Sequence, residues 1–413
     1  MEVVVARAAA LDIGKKTLTA CVRTPDGAGG RRQEVRTVGT FLDDLVALRE
    51  WLVAEQVAEV AMEATGSYWK PIWYVLEDLE DVELLLVNAR HVKQVPGRKT
   101  DVKDAVWLCQ LLEVGLLRSS LVPGPVIRQL RDLTRYRKRL VQMRTSETQR
   151  VEKTLEDAVI KLGAVASSTM TKSGRAMIEA MIAGERDPQV LAALAQGRMR
   201  AKIPELVRAL DGRFEQHHAQ MLRLHLDHID HLDASIATID SQIDELIVPF
   251  ADVRERLQTI PGVGQKVADV IIAETGADMD RFPDAAHLAS WAGVCPGNNE
   301  SAGKRFSGRT RKADVWLQAA LVEAAWAAAR TKDTYLSAQF WRLAGRIGKK
   351  KAATAVAHSI LVIAYHLMTD PEATYTDLGP DWFTRRNNPD ARKARLVKQL
   401  AELGYEIELR PAA

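Results

Sequence analysis

Two aspartates three residues apart, Asp101 and Asp104, head an apolar run through Ala105, Val106, Leu108, Leu111 and Leu112. On a helix that spacing sets both carboxylates on one face, and Lys99 and Lys103 flank them. Asp101 alone reads as an N-cap, since aspartate there accepts hydrogen bonds from the first free N–H groups. Capping leaves Asp104 without a role. Two hard oxygen donors among cations suit a divalent ion beside phosphate. Asp12 and Glu63 add further acids, each at the end of a short apolar run. If those runs are neighbouring strands, the three acidic points meet, and carboxylates gathered without a cation repel one another.

The first 120 residues supply such a scaffold. Strands are expected over 3–13, 17–24, 33–38, 59–62 and 83–87, with Pro25-Asp26-Gly27 as a turn. Helices are expected over 42–55 and 69–79 and after Asp101. A three-strand meander followed by alternating helices and strands indicates an α/β domain on a mixed sheet.

The second half is helical and carries a different chemistry. Residues 128–150 hold eight Arg/Lys against two acids, with Arg131, Arg135, Arg139 and Arg150 set among leucines. Clusters at 304–312 and 342–351 add to this charge. Local patches of this kind fit a phosphate-backbone binder, although a solvated helix face is the commoner fate of a single charge run. Ile260-Pro261-Gly262-Val263-Gly264 between two helical runs reads as a helix-hairpin-helix. Its glycines would let the backbone approach a phosphate, with Lys266 adding a cation; an ordinary glycine-rich turn is the lesser alternative. Residues 291–305 form a polar, basic loop containing Ser301, Lys304 and Arg305 ahead of an apolar helix over 315–329.

Between these regions, Ile229, Leu232, Ile236, Ile239, Ile243 and Leu246 follow a 3-4-3-4-3 spacing. That is either a coiled-coil seam joining protomers or the buried stripe of a core helix. The domains are accordingly expected at 1–120, 121–250 (basic helices, connector and coiled coil), 251–370 and a basic tail over 371–413.

Composition excludes little: 413 residues, 47% hydrophobic and 27% charged with a net charge of +3, are ordinary for a globular chain. Cys21, Cys109 and Cys295 lack pairing or zinc spacing, as in a reducing compartment, so a cytoplasmic location is expected. Residues 352–368 are short for a membrane span and contain His358 and His366; a buried helix is expected there, and no membrane partner.

Asp12, Glu63, Asp101 and Asp104 together match the acidic tetrad of a ribonuclease-H-like nuclease core of the Holliday-junction-resolvase (RuvC-like) type. More of the chain resembles the IS-one-ten (IS110) family of insertion-sequence transposases, the DEDD or bridge-RNA-guided recombinases. The matching stretches are Met62-Glu63-Ala64-Thr65-Gly66-Ser67-Tyr68, Lys99 through Ala105, and Ile260 through Gly264. Ala292-Gly293-Val294-Cys295-Pro296 and Glu300-Ser301-Ala302-Gly303-Lys304 complete them. Gly297 stands where the family commonly has Arg, and Lys312-Ala313-Asp314 where it has Lys-Gly-Asn/Asp. The resemblance implies a RuvC-like domain followed by a mostly helical one, and an enzyme that excises and inserts its own element. It also implies Mg²⁺ at the tetrad, Ser301 as nucleophile, donor and target DNA, a structured guide RNA, and a dimer or tetramer. Lys99, Arg131, Arg135, Arg139, Gly262, Gly264, Lys266, Lys304 and Arg305 are the expected nucleic-acid contacts. Two other readings remain open. One is a non-catalytic nucleic-acid binder with a relic nuclease core. The other is an actin-like or sugar-kinase phosphotransferase, suggested by Leu11-Asp12-Ile13-Gly14.

Overall fold

A computed structural model describes residues 3–64, 66–88, 101–297, 299–301, 304–307, 310, 313–385 and 389–407. The chain divides into two compact units, Met1–Pro123 and Gly124–Ala413.

The first unit is built on one mixed sheet. β1 (Ala8–Ile13), β2 (Thr17–Pro25) and β3 (Arg31–Gly39) form an antiparallel meander; β4 (Glu59–Glu63) and β5 (Glu83–Val87) add in parallel beyond β1. The strand order is β3-β2-β1-β4-β5, the ribonuclease-H-like arrangement expected from the sequence. Alternation along the strands sorts the two faces. Leu11, Ile13, Val60 and Met62 pack under α1 (Leu42–Ala54) and α2 (Trp69–Leu76). Ala8, Ala10, Cys21, Ala61 and Val87 face Ala105, Leu108, Cys109 and Leu112 of α3 (Asp101–Glu113).

In the second unit α4 (Pro125–Asp157) is a helix of 33 residues. α5 (Lys172–Ile182) packs with the connector, and α6 (Gln216–Leu246) then returns along α4. Arg137 pairs with Asp240, Arg144 with Asp233, and Glu147 with His225 and His228. Residue numbers rise on one helix as they fall on the other, so the two helices are antiparallel. The heptad seam is therefore satisfied inside the chain: Ile229, Leu232, Ile239 and Ile243 are buried in a helical hairpin. Of the two readings left open for this stripe, the one visible within the chain is the buried face of a helix packed on α4. α7 (Ala251–Gln258) and α8 (Gln265–Thr275) flank the Ile-Pro-Gly-Val-Gly turn. Beyond Ala285–Trp291, the expected basic loop holds a short hairpin, β6 (Asn299–Ser301) and β7 (Lys304–Ser307). α9 (Val315–Ala328), α10 (Tyr335–Ile347) and α11 (Lys349–Thr369) close the core, where Ala353, Val356, Ile360 and Ala364 of α11 are buried. α12 (Pro389–Glu402) follows in the tail.

Candidate functional site

Register brings the acids of the first unit together. Leu11 lies beside Met62 in the parallel β1–β4 ladder. One residue on, Asp12 and Glu63 therefore end neighbouring strands, whose backbones run about 4.8 Å apart. Both belong to the alternation set of Ala8, Ala10 and Ala61, the face that α3 covers. Both are half-buried.

The direction of α3 brings its head to the same edge. The Cys109 thiol donates to the Ala8 carbonyl at 3.4 Å. At the last turn, the Val4 and Val5 amides donate to the Glu113 carbonyl at 2.8 and 3.1 Å. The helix thus runs opposite to β1. Eight residues back from Cys109 is about 12 Å of helix, and four residues on from Ala8 is about 13 Å of strand. Those two steps set Asp101 level with Asp12. Position 104 lies one turn before the buried Leu108 and so falls on the stripe that covers the sheet. Asp104 is half-buried.

The far end of α3 is clamped. Glu113 is 4% exposed and accepts from Arg23 Nε and Arg31 Nε, each at 2.9 Å. A buried carboxylate between two guanidiniums from β2 and β3 holds the helix against sliding along the sheet. Nothing in the local sequence marks Glu113 for that task.

The acids placed at this edge are carboxylate donors, the type a hard divalent cation prefers. Among the described residues no three His, Cys, Asp or Glu side chains stand near enough to hold an ion as they lie. The match to a metal is thus one of residue type and of placement at one sheet edge.

The second unit treats its expected contact residues unequally. Arg131 and Arg135 point inward: Arg135 Nε and Nη2 donate to Glu274, each at 2.7 Å, and Arg131 donates to the Ala273 and Glu274 carbonyls. The Glu274 side chain is fully buried. Burial pushes its carboxyl up to about 7, aided by neighbouring Asp314, while Arg135 favours the ionised form. Asp314 also caps α9, accepting from Trp316 and Leu317 N–H at 2.9 and 3.0 Å. Arg131 and Arg135, read as nucleic-acid contacts, are thus tied to an internal carboxylate that the sequence reading passed over. Arg139 is exposed, its guanidinium 5.6 Å from the Trp316 ring. Lys266 pairs with Asp240 at 2.6 Å.

The two glycines of the turn also differ. Gly262 has φ +89°, and a Cβ there would stand 2.3 Å from the Ala324 carbonyl oxygen of α9. Close packing against α9 thus accounts for glycine at 262. Gly264 caps α8, is exposed, and a Cβ there would meet open space. Lys304 is exposed on β7. Ser301 ends β6 and Arg305 lies on β7. Lys99 falls outside the described residues.

Two family models match the chain. A DEDD transposase model of the IS110 type matches residues 9–160, and the transposase IS116/IS110/IS902 family model matches residues 254–342. The pilin gene-inverting protein of Moraxella bovis is 38% identical over 78 residues, which are 18% of this chain and 24% of that protein. A mini-circle IS117 protein of Streptomyces coelicolor is 34% identical over 124 residues, 27% of this chain and 30% of its own length. The chain thus spans less than a third of the curated relatives it matches. The T. thermophilus RuvC structure with a Holliday junction substrate aligns at a TM-score of 0.21 and 16% identity, covering 28% of this chain and 99% of that one. With both family models matching in order, over more than half of the sequence, the chain belongs to the IS110 family of transposases.

Proposed function

We propose that the chain is a DNA transposase or recombinase whose strand cleavage takes place at the sheet edge formed by Asp12, Glu63 and the head of α3. The observation that carries this reading is the shared level of three elements: two adjacent parallel strands end in acids, and a helix bearing Asp101 and Asp104 begins beside them. Mg²⁺ is the cation proposed for the four carboxylates. Metal chemistry at such a site is polarisation of a phosphodiester oxygen and relief of charge on the departing oxygen. The carboxylates hold and orient that charge, and the Glu113 clamp fixes how far α3 reaches along the sheet.

Ser301 is the proposed nucleophile that keeps the broken strand covalently attached, so that rejoining needs no outside energy source. A serine hydroxyl needs activation at neutral pH, and Lys304, exposed on the paired strand, is the cation proposed for a phosphate oxygen. A structured guide RNA pairing with donor and target DNA, a dimer or tetramer, and a cytoplasmic location complete the reading. They are supported by the family resemblance and, for the location, by the unpaired cysteines.

The test is cleavage of a labelled four-way DNA junction with and without Mg²⁺. Asp12→Asn and Asp104→Asn should each lower cleavage by at least a hundredfold with folding unchanged, and Ser301→Ala should remove any protease-resistant protein–DNA adduct. Cleavage by Asp104→Asn at the parent rate sinks the metal site. An adduct that survives Ser301→Ala moves the nucleophile elsewhere.

A further inference from the structure

Residues 330–351 carry seven cations and one acid. α10 and α11 meet at Gly348, whose φ of +83° reverses the chain within one residue. Lys349, Lys350 and Lys351 then fill the first turn of α11, where the helix dipole disfavours cations, and no acid shares that turn. These lysines are exposed, as are Arg330, Lys332 and Arg346. Among the described residues no carboxylate pairs with any of the six.

Beside the lysines stands Trp341, 55% exposed. Its indole N–H donates to the Ala329 carbonyl at 3.0 Å, and Phe340 meets its ring edge-on at 5.2 Å. The ring is therefore held in one orientation. Lys349 Nζ lies 5.7 Å from its centroid, and Ile347 adds exposed apolar surface. A fixed, water-exposed aromatic ring among unpaired cations exposes apolar area and concentrates like charge. One kind of partner relieves both.

We infer that the α10–α11 corner binds a single-stranded nucleic acid, its phosphates on Lys349–Lys351 and Arg346 and an unpaired base stacked on Trp341. A duplex could satisfy the lysines, but its bases are already stacked on one another and leave the indole unused. An acidic protein would answer the charge without calling for a flat ring. The inference rests on the nucleic-acid reading above and uses neither the tetrad nor Ser301.

The experiment is fluorescence anisotropy on the full chain with short labelled oligo-dT, oligo-U and duplex DNA across a salt series. Trp341→Leu should weaken single strands roughly tenfold and leave duplex affinity unchanged, whereas Trp341→Phe, which keeps a ring, should retain most of it. Lys350→Glu with Lys351→Glu should weaken single strands more than tenfold and flatten the salt dependence by about one to two phosphate contacts. A thermal melt of each variant excludes unfolding as the cause. Single-strand affinities equal to the parent's overturn the assignment, as does an equal loss for strand and duplex in Trp341→Leu. So does a lysine variant that loses phosphatidylserine vesicles while keeping oligonucleotides, which would make the corner a lipid-facing surface. A parent protein that binds no strand overturns it too, whatever happens at Asp104; junction cleavage by Asp104→Asn would sink the metal site and leave this corner standing.

Discussion

Glu274 is a carboxylate removed from water and answered by arginines that the charge pattern had assigned to phosphate. It faces Arg131 and Arg135 from α4 and Asp314 from the cap of α9. Its folded pKa of about 7 lies above the ordinary 4.5. Below about pH 4.5 both folded and unfolded forms hold the proton, and its contribution to stability is fully present. Between 4.5 and about 7 the unfolded chain releases that proton first, so stability declines as pH rises and levels off above 7. The chain should lose on the order of 2–3 kcal/mol from this group between pH 5 and 8. Glu274→Gln should flatten the profile of melting temperature against pH over that window. An equally steep profile in the glutamine variant would assign the dependence to another group. The sequence reads the arginines of 128–150 as an outward, nucleic-acid-facing stripe because i, i+4 spacing says which residues share a face, not what that face meets. Glu274 sits in an apolar stretch, Val270 to Ala273, with no periodic signal of its own. Its role follows only from α8 packing on α4.

Whole elements were more legible than their partners. All five strands of the first unit stand within a few residues of where hydrophobic runs and turn residues place them, and Asp12 and Glu63 end the strands foreseen for them. Local pattern decides these strands because each one has its own apolar face. The seam of α6 is equally plain as a pattern, yet a heptad stripe reads the same whether a second protomer or a second helix of the same chain covers it. Here α4 covers it from far earlier in the sequence, with Arg137–Asp240 and Arg144–Asp233, 103 and 89 residues apart, flanking the contact. Ile243→Asp introduces a charge at a fully buried position and should cost about 3 kcal/mol or more, seen as a lower melting temperature. The mass by light scattering should be unchanged at temperatures where the variant is folded. A folded variant of lower mass would return the seam to the protomer interface.

Across the whole molecule the proposed chemistry is divided as the structure is. All four tetrad positions lie in Met1–Pro123, while Ser301, Lys304, Gly264 and the α10–α11 corner lie in Gly124–Ala413. Each unit has its own core. In the first, two layers of side chains cover the two faces of one sheet, and the Glu113 clamp draws both its arginines from the same unit. In the second, the α4–α6 hairpin carries a separate cluster from Val151 to Ile229. A chain of roughly 120 residues buries enough surface to fold alone. Residues 1–123 and 124–413, expressed separately, should therefore each unfold in one cooperative transition, followed by circular dichroism in urea. Isothermal titration with Mn²⁺ should show binding to the 1–123 fragment, lost in Asp12→Asn, while single-strand binding should stay with the 124–413 fragment. A 1–123 fragment that is unfolded on its own would mean that the second unit completes its core. One that folds but binds Mn²⁺ no better than its Asp12→Asn variant would mean that the four acids need groups from beyond residue 123 to hold the ion.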